Sequence, residues 1–298
     1  MALEPVPEAT RGFNTLMASQ AERLDQWGRA VQGWIAAAFR LGGSSGQQAK
    51  NALNGVWLGH PLHPALTDVP IGAWVTALVC DLLGIEQAAD AALNVGVVAA
   101  VPTALAGAAD WVDAADEPRR VGLVHAVLNV LALLLLVGSI AARRAGKRAT
   151  GVGLSTGGLA IGSFSAWLGG ELVYRQGTMV NRTAWEPTVD QFQPVADAAA
   201  LQEGALTRGE LSLEGQTLPI VLLKRGEQIL ALSGTCSHWG GPLAEGQLID
   251  DGVCVECPWH GSQFDLRDGS VRRGPATAPA PVFEARLREG QVEVRRTR

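Results

Sequence analysis

The sequence predicts two architectures in one chain: an α-helical membrane domain of four transmembrane helices, then an all-β antiparallel domain. Three observations predict this. Apolar residues make up 47% of the 298 residues and charged residues only 18%, values high and low for a purely soluble chain. Four apolar runs of membrane-spanning length lie between about Leu66 and Tyr174. Beyond them come short alternating runs divided by turn residues, the pattern of antiparallel strands.

Residues 1–58 are mixed in composition. Within them "AERLDQWGRAVQGWIAAAFRL" sets Leu24, Trp27, Val31, Trp34, Ile35 and Phe39 at helical spacing. That predicts one amphipathic helix, lying on a membrane surface or packed on the rest of the protein. The first twenty residues show no basic segment ahead of an apolar core, so neither a cleavable nor a twin-arginine signal is expected.

The membrane domain is expected over 59–175. Its runs are "ALTDVPIGAWVTALVCDLLGI" (65–85), "ALNVGVVAAVPTALAGAADW" (92–111), "VGLVHAVLNVLALLLLVGSIAA" (121–142) and "GVGLSTGGLAIGSFSAWLGGELVY" (151–174). In the last, Gly153/Gly157 and Gly158/Gly162 stand four apart, where small residues let helices approach closely in a bilayer. Residues 176–193 are polar and contain proline, and read as a linker. The β domain is expected over 194–298, with turns at Gly226-Glu227, Asp251-Gly252, Asp268-Gly269 and Glu289-Gly290.

Net charge is −5, so no basic field points to nucleic acid. Four cysteines at this length do not make a disulfide scaffold. Three of them, with two of the five histidines, fall between Cys236 and Asp265. Cys236 and His238 come from one loop, Cys257 and His260 from the next. Zinc could use this set, and so could an iron–sulfur cluster held by two Cys and two His. The adjoining Gly240-Gly241-Pro242 and Gly261-Ser262 favour a cluster, because tight turns aim backbone N–H groups at charged sulfides. Cys254 and Cys80 read as packing residues.

The stretch "CSHWGGPL … CPWHGSQFD" resembles the Rieske [2Fe–2S] family, over roughly residues 192–298. The resemblance implies a Rieske-like antiparallel sandwich holding one [2Fe–2S] cluster, with Cys236 and Cys257 on one iron and His238 and His260 on the other. The respiratory type carries a disulfide where this chain has Gly241 and Trp259, so the ferredoxin type is implied. Ser262 fills the family's position for a serine that hydrogen-bonds the cluster. Phe264 lacks the hydroxyl of the accompanying tyrosine, which implies a low to intermediate potential. No histidine follows His260, so an electron carrier is expected and not an oxygenase.

"GHPLHPALTDVPIGAW" (59–74) resembles the signature of a bacterial four-helix membrane family classed as a domain of unknown function. It implies a topology over about 59–175 and no activity. In that topology His60, His63, His125, Asp68 and Glu171 gather toward one surface, and Asp81 is the ionisable group of the opposite one. Ionisable groups in a membrane are costly and suggest a site. Three readings stand: axial ligation of a b-type haem by His125 with His63 or His60; binding of a metal ion or quinone head group; or a structural polar network.

The loop "ARRAGKRAT" is nearly balanced by Arg119, Arg120, Arg175 and Arg182, so positive-inside bias does not assign sides. The missing export signal and disulfide place the Rieske domain on the cytoplasmic face of a bacterial multi-pass membrane protein. The expected function is single-electron transfer within an oxidoreductase system, between donor and acceptor proteins or quinone. A haem- or quinone-linked membrane oxidoreductase and a redox-sensing or anchoring module are the alternatives.

Overall fold

The computed structural model describes residues 8–213, 215–250 and 252–296. Residues 1–7, on which part of the no-signal reading rests, and Asp251 of one predicted turn lie outside them. The chain forms two compact units: Met1–Gly46 with His63–Thr178, and Gln47–Leu62 with Met179–Arg298.

The first unit is helical. Where the sequence predicts one amphipathic helix, three form: α1 (Glu8–Ser19), α2 (Ala21–Leu41) and α3 (Gly43–Asn54), the last running on into the second unit. The apolar runs fold as α4 (Leu62–Leu82), α5 (Glu86–Trp111), α6 (Asp116–Arg144) and α7 (Arg148–Gly170), and α7 continues as a π-helical turn over Glu171–Arg175. Three of them, α4, α5 and α6, are long and apolar enough to cross a membrane. The sequence reading expected a fourth. The α7 helix has the length, 23 residues, but seven are glycine and five are serine or threonine, which lowers its apolar character.

Packing explains those small residues. A Cβ at Gly158 would press on Leu136 of α6, and one at Gly96 of α5 would overlap the Trp74 indole. Trp74, Ala77, Leu93 and Leu136 form the buried centre. Outside it, Val75, Val98, Val101, Leu105, Val130 and Leu134 are exposed. Apolar side chains left outward on helices long and apolar enough to cross a membrane suit contact with lipid. The amphipathic α2 packs on this unit: Asp25 pairs with both Arg119 and Arg120, and the Gln32 amide donates to Trp111 O and Ala114 O.

The second unit is all-β apart from its opening segment. Strands β1 (Val189–Asp197), β2 (Leu206–Leu213), β3 (Gln216–Arg225), β4 (Gln228–Ser233), β9 (Val282–Arg288) and β10 (Gln291–Arg296) form an antiparallel sheet in the order β1-β10-β9-β4-β3-β2. The short strands β5 (Gln247–Ile249), β6 (Cys254–Glu256), β7 (Gln263–Asp265) and β8 (Val271–Arg273) form the other sheet, in chain order. Leu223, Leu232, Leu243, Phe264 and Leu266 are packed in one core with Cys236 and Cys257, so the cysteines are fixed by the same packing that fixes the strands. Residues 47–62 fold onto this unit through a hydrogen bond from Gly274 N–H to Asn51 Oδ1 of 3.2 Å.

Candidate cluster-binding site

Two loops of the same design build the site. The first follows β4; the second joins β6 to β7. In the first, Cys236 N–H donates to Gly241 O at 2.8 Å and Gly240 N–H to Cys236 O at 2.9 Å. In the second, Cys257 N–H donates to Ser262 O at 2.8 Å and Gly261 N–H to Cys257 O at 3.1 Å. Each loop thus closes on its cysteine through a glycine at positive φ, 81° at Gly240 and 70° at Gly261, where a side chain would strain the turn.

The closure turns backbone amides toward sulfur. Those of His238 and Trp239 serve Cys236, and those of Trp259 and His260 serve Cys257. The thiols also hydrogen-bond to each other. That bond, with the two amides, brings Cys257 down to about 6, while the same bond and burial hold Cys236 up.

The two imidazoles lie together, with ring centroids 5.1 Å apart and planes at 84°. His238 is only 4% exposed, and neither ring nitrogen has a hydrogen-bond partner among the described residues. Burial and the nearby charges of His260, Lys50 and Arg182 push its pKa well down, so the ring is neutral and carries a lone pair. A buried imidazole with nothing to bond is costly unless something else takes the lone pair. Among the described residues no group of three or more His, Cys, Asp and Glu is arranged for a single metal ion. Two sulfurs and two imidazoles in separate pairs suit a two-iron centre better than one zinc.

The surroundings are tight. A Cβ at Gly241 would stand 2.7 Å from Cys257 Sγ and 3.1 Å from the Trp259 ring. Trp259 therefore lies where a side chain from position 241 would otherwise be, and all four cysteines are free thiols. Ser262 is fully buried; its Oγ accepts from Ala276 N–H at 2.9 Å, which leaves its own proton to donate. Phe264 is fully buried in the core. Arg182 lies 5.2 Å over the Trp239 ring, beside the first loop. A cavity of about 200 Å³ adjoins His238, lined by His60, Pro61, Met179, Asn181 and Pro275 among others.

The membrane-domain candidates separate. His63 and His125 meet, with ring centroids 6.4 Å apart. His60 belongs to the other unit, beside His238. Asp68 is exposed, and Glu171 pairs with Arg175 at 3.0 Å. His125 Nδ1 is paired with Ser165 and Nε2 with Asn129, and nothing in the comparisons with known proteins supports the haem reading. Sequence reasoning missed a buried ion network at the far end, where Arg143 bonds Asp81, Asp90, Ser139 and Ser155. It passed over Asp90 and took Arg143 and Arg148 as topology markers.

Residues 59–182 match the model of a family described as predicted membrane proteins, DUF2231, and residues 191–284 match the Rieske [2Fe-2S] domain. The anthranilate 1,2-dioxygenase ferredoxin subunit of Burkholderia cepacia is 35% identical over 109 residues, 37% of this chain and 95% of that protein. Ferredoxin CarAc of Metapseudomonas resinovorans is 36% identical over 100 residues, 34% of this chain and 89% of its own. The 3-phenylpropionate/cinnamic acid dioxygenase ferredoxin subunit of Escherichia coli K12 is 33% identical over 33% of this chain and 85% of its own. Through its C-terminal third the chain belongs to the Rieske [2Fe–2S] ferredoxin family, and the segment ahead of that domain is similar to the DUF2231 model.

Proposed function

We propose that this protein is a membrane-anchored carrier of single electrons. In this reading Cys236 and Cys257 hold one iron of a [2Fe–2S] cluster and His238 and His260 the other. The observation that carries it is the donor set: two sulfurs cradled by backbone amides and hydrogen-bonded to each other, and two imidazoles 5.1 Å apart of which one is buried with unpartnered nitrogens. When bound, the cluster supplies one-electron chemistry. The chain's own residues do the rest. The paired loops fix the donors, the core of Leu243, Phe264 and Leu266 excludes water, and Ser262, whose Oγ accepts from Ala276 N–H, keeps its own proton to offer the cluster in this reading. The outer nitrogens of His238 and His260 hold their protons more firmly in the reduced state, because added negative charge favours the protonated form.

The two imidazoles are not equivalent. His238 is covered, whereas His260 is half-buried beside Trp259, which is 56% exposed. We assign electron exchange to the His260–Trp259 edge. The relatives are ferredoxin subunits of dioxygenases by name, which supports protein partners, a donor and an acceptor oxidoreductase component. The helical domain over 59–175, with α7 as a fourth span, is read as the anchor. Four free cysteines fit a reducing cytoplasmic face. The deciding measurement is low-temperature EPR with visible absorption on detergent-purified protein, oxidised and dithionite-reduced. A Rieske signal is expected. Stoichiometric zinc with no iron signal would refute the assignment.

A further inference from the structure

The segment from α4 to α7 repeats a set of local features at an offset of 62 residues. The α4 helix ends at Leu82 and α6 at Arg144; α5 begins at Glu86 and α7 at Arg148. Gly84 and Gly146 turn the chain with φ of 71° and 74°. The same capping bond follows each: Ile85 N–H to Cys80 O at 2.8 Å, Lys147 N–H to Ala142 O at 2.9 Å. Trp74 lies on Gly96 as Leu136 lies on Gly158. The α4–α5 and α6–α7 segments therefore repeat one local pattern, although α6 and α7 pack far more closely on each other than α4 and α5 do, and equivalent residues that touch each other mark an approximate two-fold axis between the segments. Among the described residues Asp81 with Arg143 and His63 with His125 are such pairs.

The histidines share one mode of support through Nδ1. His63 Nδ1 bonds Thr103 O at 2.9 Å and its ring lies on Gly107. His125 Nδ1 bonds Ser165 O at 2.7 Å and its ring lies on Gly169. A carbonyl only accepts, so Nδ1 carries the proton in both rings and Nε2 the lone pair. A ring N–H fixed on a carbonyl, with the other nitrogen left basic, is the support that metal-ligating histidines receive. With metal–nitrogen bonds of about 2.0 Å, two imidazoles in line about one ion have centroids roughly 6.3 Å apart; these stand at 6.4 Å. No group of three or more His, Cys, Asp and Glu surrounds them among the described residues, which disfavours an ion demanding four protein ligands.

We propose that His63 and His125 form a two-imidazole site on the pseudo-two-fold axis for one low-coordinate transition-metal ion, cuprous copper. Asn129 Nδ2, 3.1 Å from His125 Nε2, holds that lone pair until the ion displaces it. The site is independent of the iron–sulfur assignment.

The test is an anaerobic competition of full-length, cluster-loaded protein in detergent against a chromophoric cuprous chelator, with one equivalent of copper. The EPR signal of each sample reports the iron–sulfur domain separately. Wild type is expected to retain one equivalent, H63Q and H125Q to bind at least tenfold more weakly, and N129A more tightly. X-ray absorption of copper-loaded wild type, which needs no variant to fold, is expected to show two nitrogen neighbours. Failure of wild type to retain copper, retention of one equivalent by H63Q/H125Q, or sulfur neighbours in the absorption spectrum would each overturn the proposal.

Discussion

Gly241→Ala puts the cluster loops under the most direct strain. The new methyl would stand 2.7 Å from Cys257 Sγ and 3.1 Å from the Trp259 ring. Trp259 is mostly exposed and can swing outward, so its share of the cost is small. The sulfur has no such freedom, because Cys257 is anchored by its N–H to Ser262 O and by the core around it. To recover ordinary van der Waals contact the loops must part, moving one sulfur relative to the other. Overpacking of this kind costs about 1–3 kcal/mol. For a domain slightly above one hundred residues that lowers the melting temperature by several degrees per kcal/mol. The assay is iron and acid-labile sulfide per chain, with the temperature at which the visible band bleaches. Reduced occupancy and bleaching at clearly lower temperature are expected. Because the sulfur contact dominates, G241A/W259A should not recover. Full iron content and unchanged bleaching in G241A would refute the reasoning, and recovery in the double variant would move the cause from sulfur to indole.

Other expectations follow from the same geometry. Burial pushes the Glu186 carboxyl up even though Ser233 Oγ donates to it at 2.7 Å. Its folded pKa exceeds the unfolded one, so its contribution is intact below the unfolded value of about 4.3 and is lost as pH rises through the folded one. E186Q should abolish that loss, and denaturant unfolding from pH 4 to 8 should show wild type falling relative to E186Q; parallel curves would exclude it. The Asp265 carboxylate, buried and held well below the usual range by Arg267 and Arg272, has the opposite sign. D265N should be destabilised at neutral pH, and the gap to wild type should close as pH falls below about 4. R143A leaves Asp81 buried with Arg148 alone, so its cost should lie near the low end of about 3–5 kcal/mol. D81L/R143L leaves the Arg148–Asp90 pair intact and should be more stable than R143A in thermal melts in detergent. F264Y should raise the cluster's midpoint potential; an unchanged redox titration would place the ring too far from the sulfurs.

The sequence makes the site legible because its chemistry is local. Two short loops carry both the donors and the glycines that shape them, and the alternating strands around them are equally plain. What distance in the chain conceals is pairing. Nothing near Gln47 announces that residues 47–62 fold with the β unit, since the partner of Asn51 is Gly274. His60 and His63 are three apart and read as one cluster, yet α4 begins at Leu62 and a unit boundary falls between them. Arg143 and Arg148 look like topology signals because their partners, Asp81 and Asp90, are more than fifty residues away. Those two charges are consumed inside the protein, which weakens any count of loop charge. The 62-residue repeat was readable as Gly84/Gly146 and His63/His125, but the flanking residues have diverged too far for the eye to catch it.

That divergence has a consequence at the axis. Were the two hairpins separate identical chains, every residue on the two-fold would face its own kind, and Asp81 would meet a second aspartate. Covalent tandem linkage lifts that restriction. One copy could turn acidic and the other basic at a single position, and an unpayable repulsion became the buried Asp81–Arg143 bond that ties α4 to α6. The histidines at the other end stayed alike. That likeness gives each imidazole the same hold from a backbone carbonyl, Thr103 O for one and Ser165 O for the other.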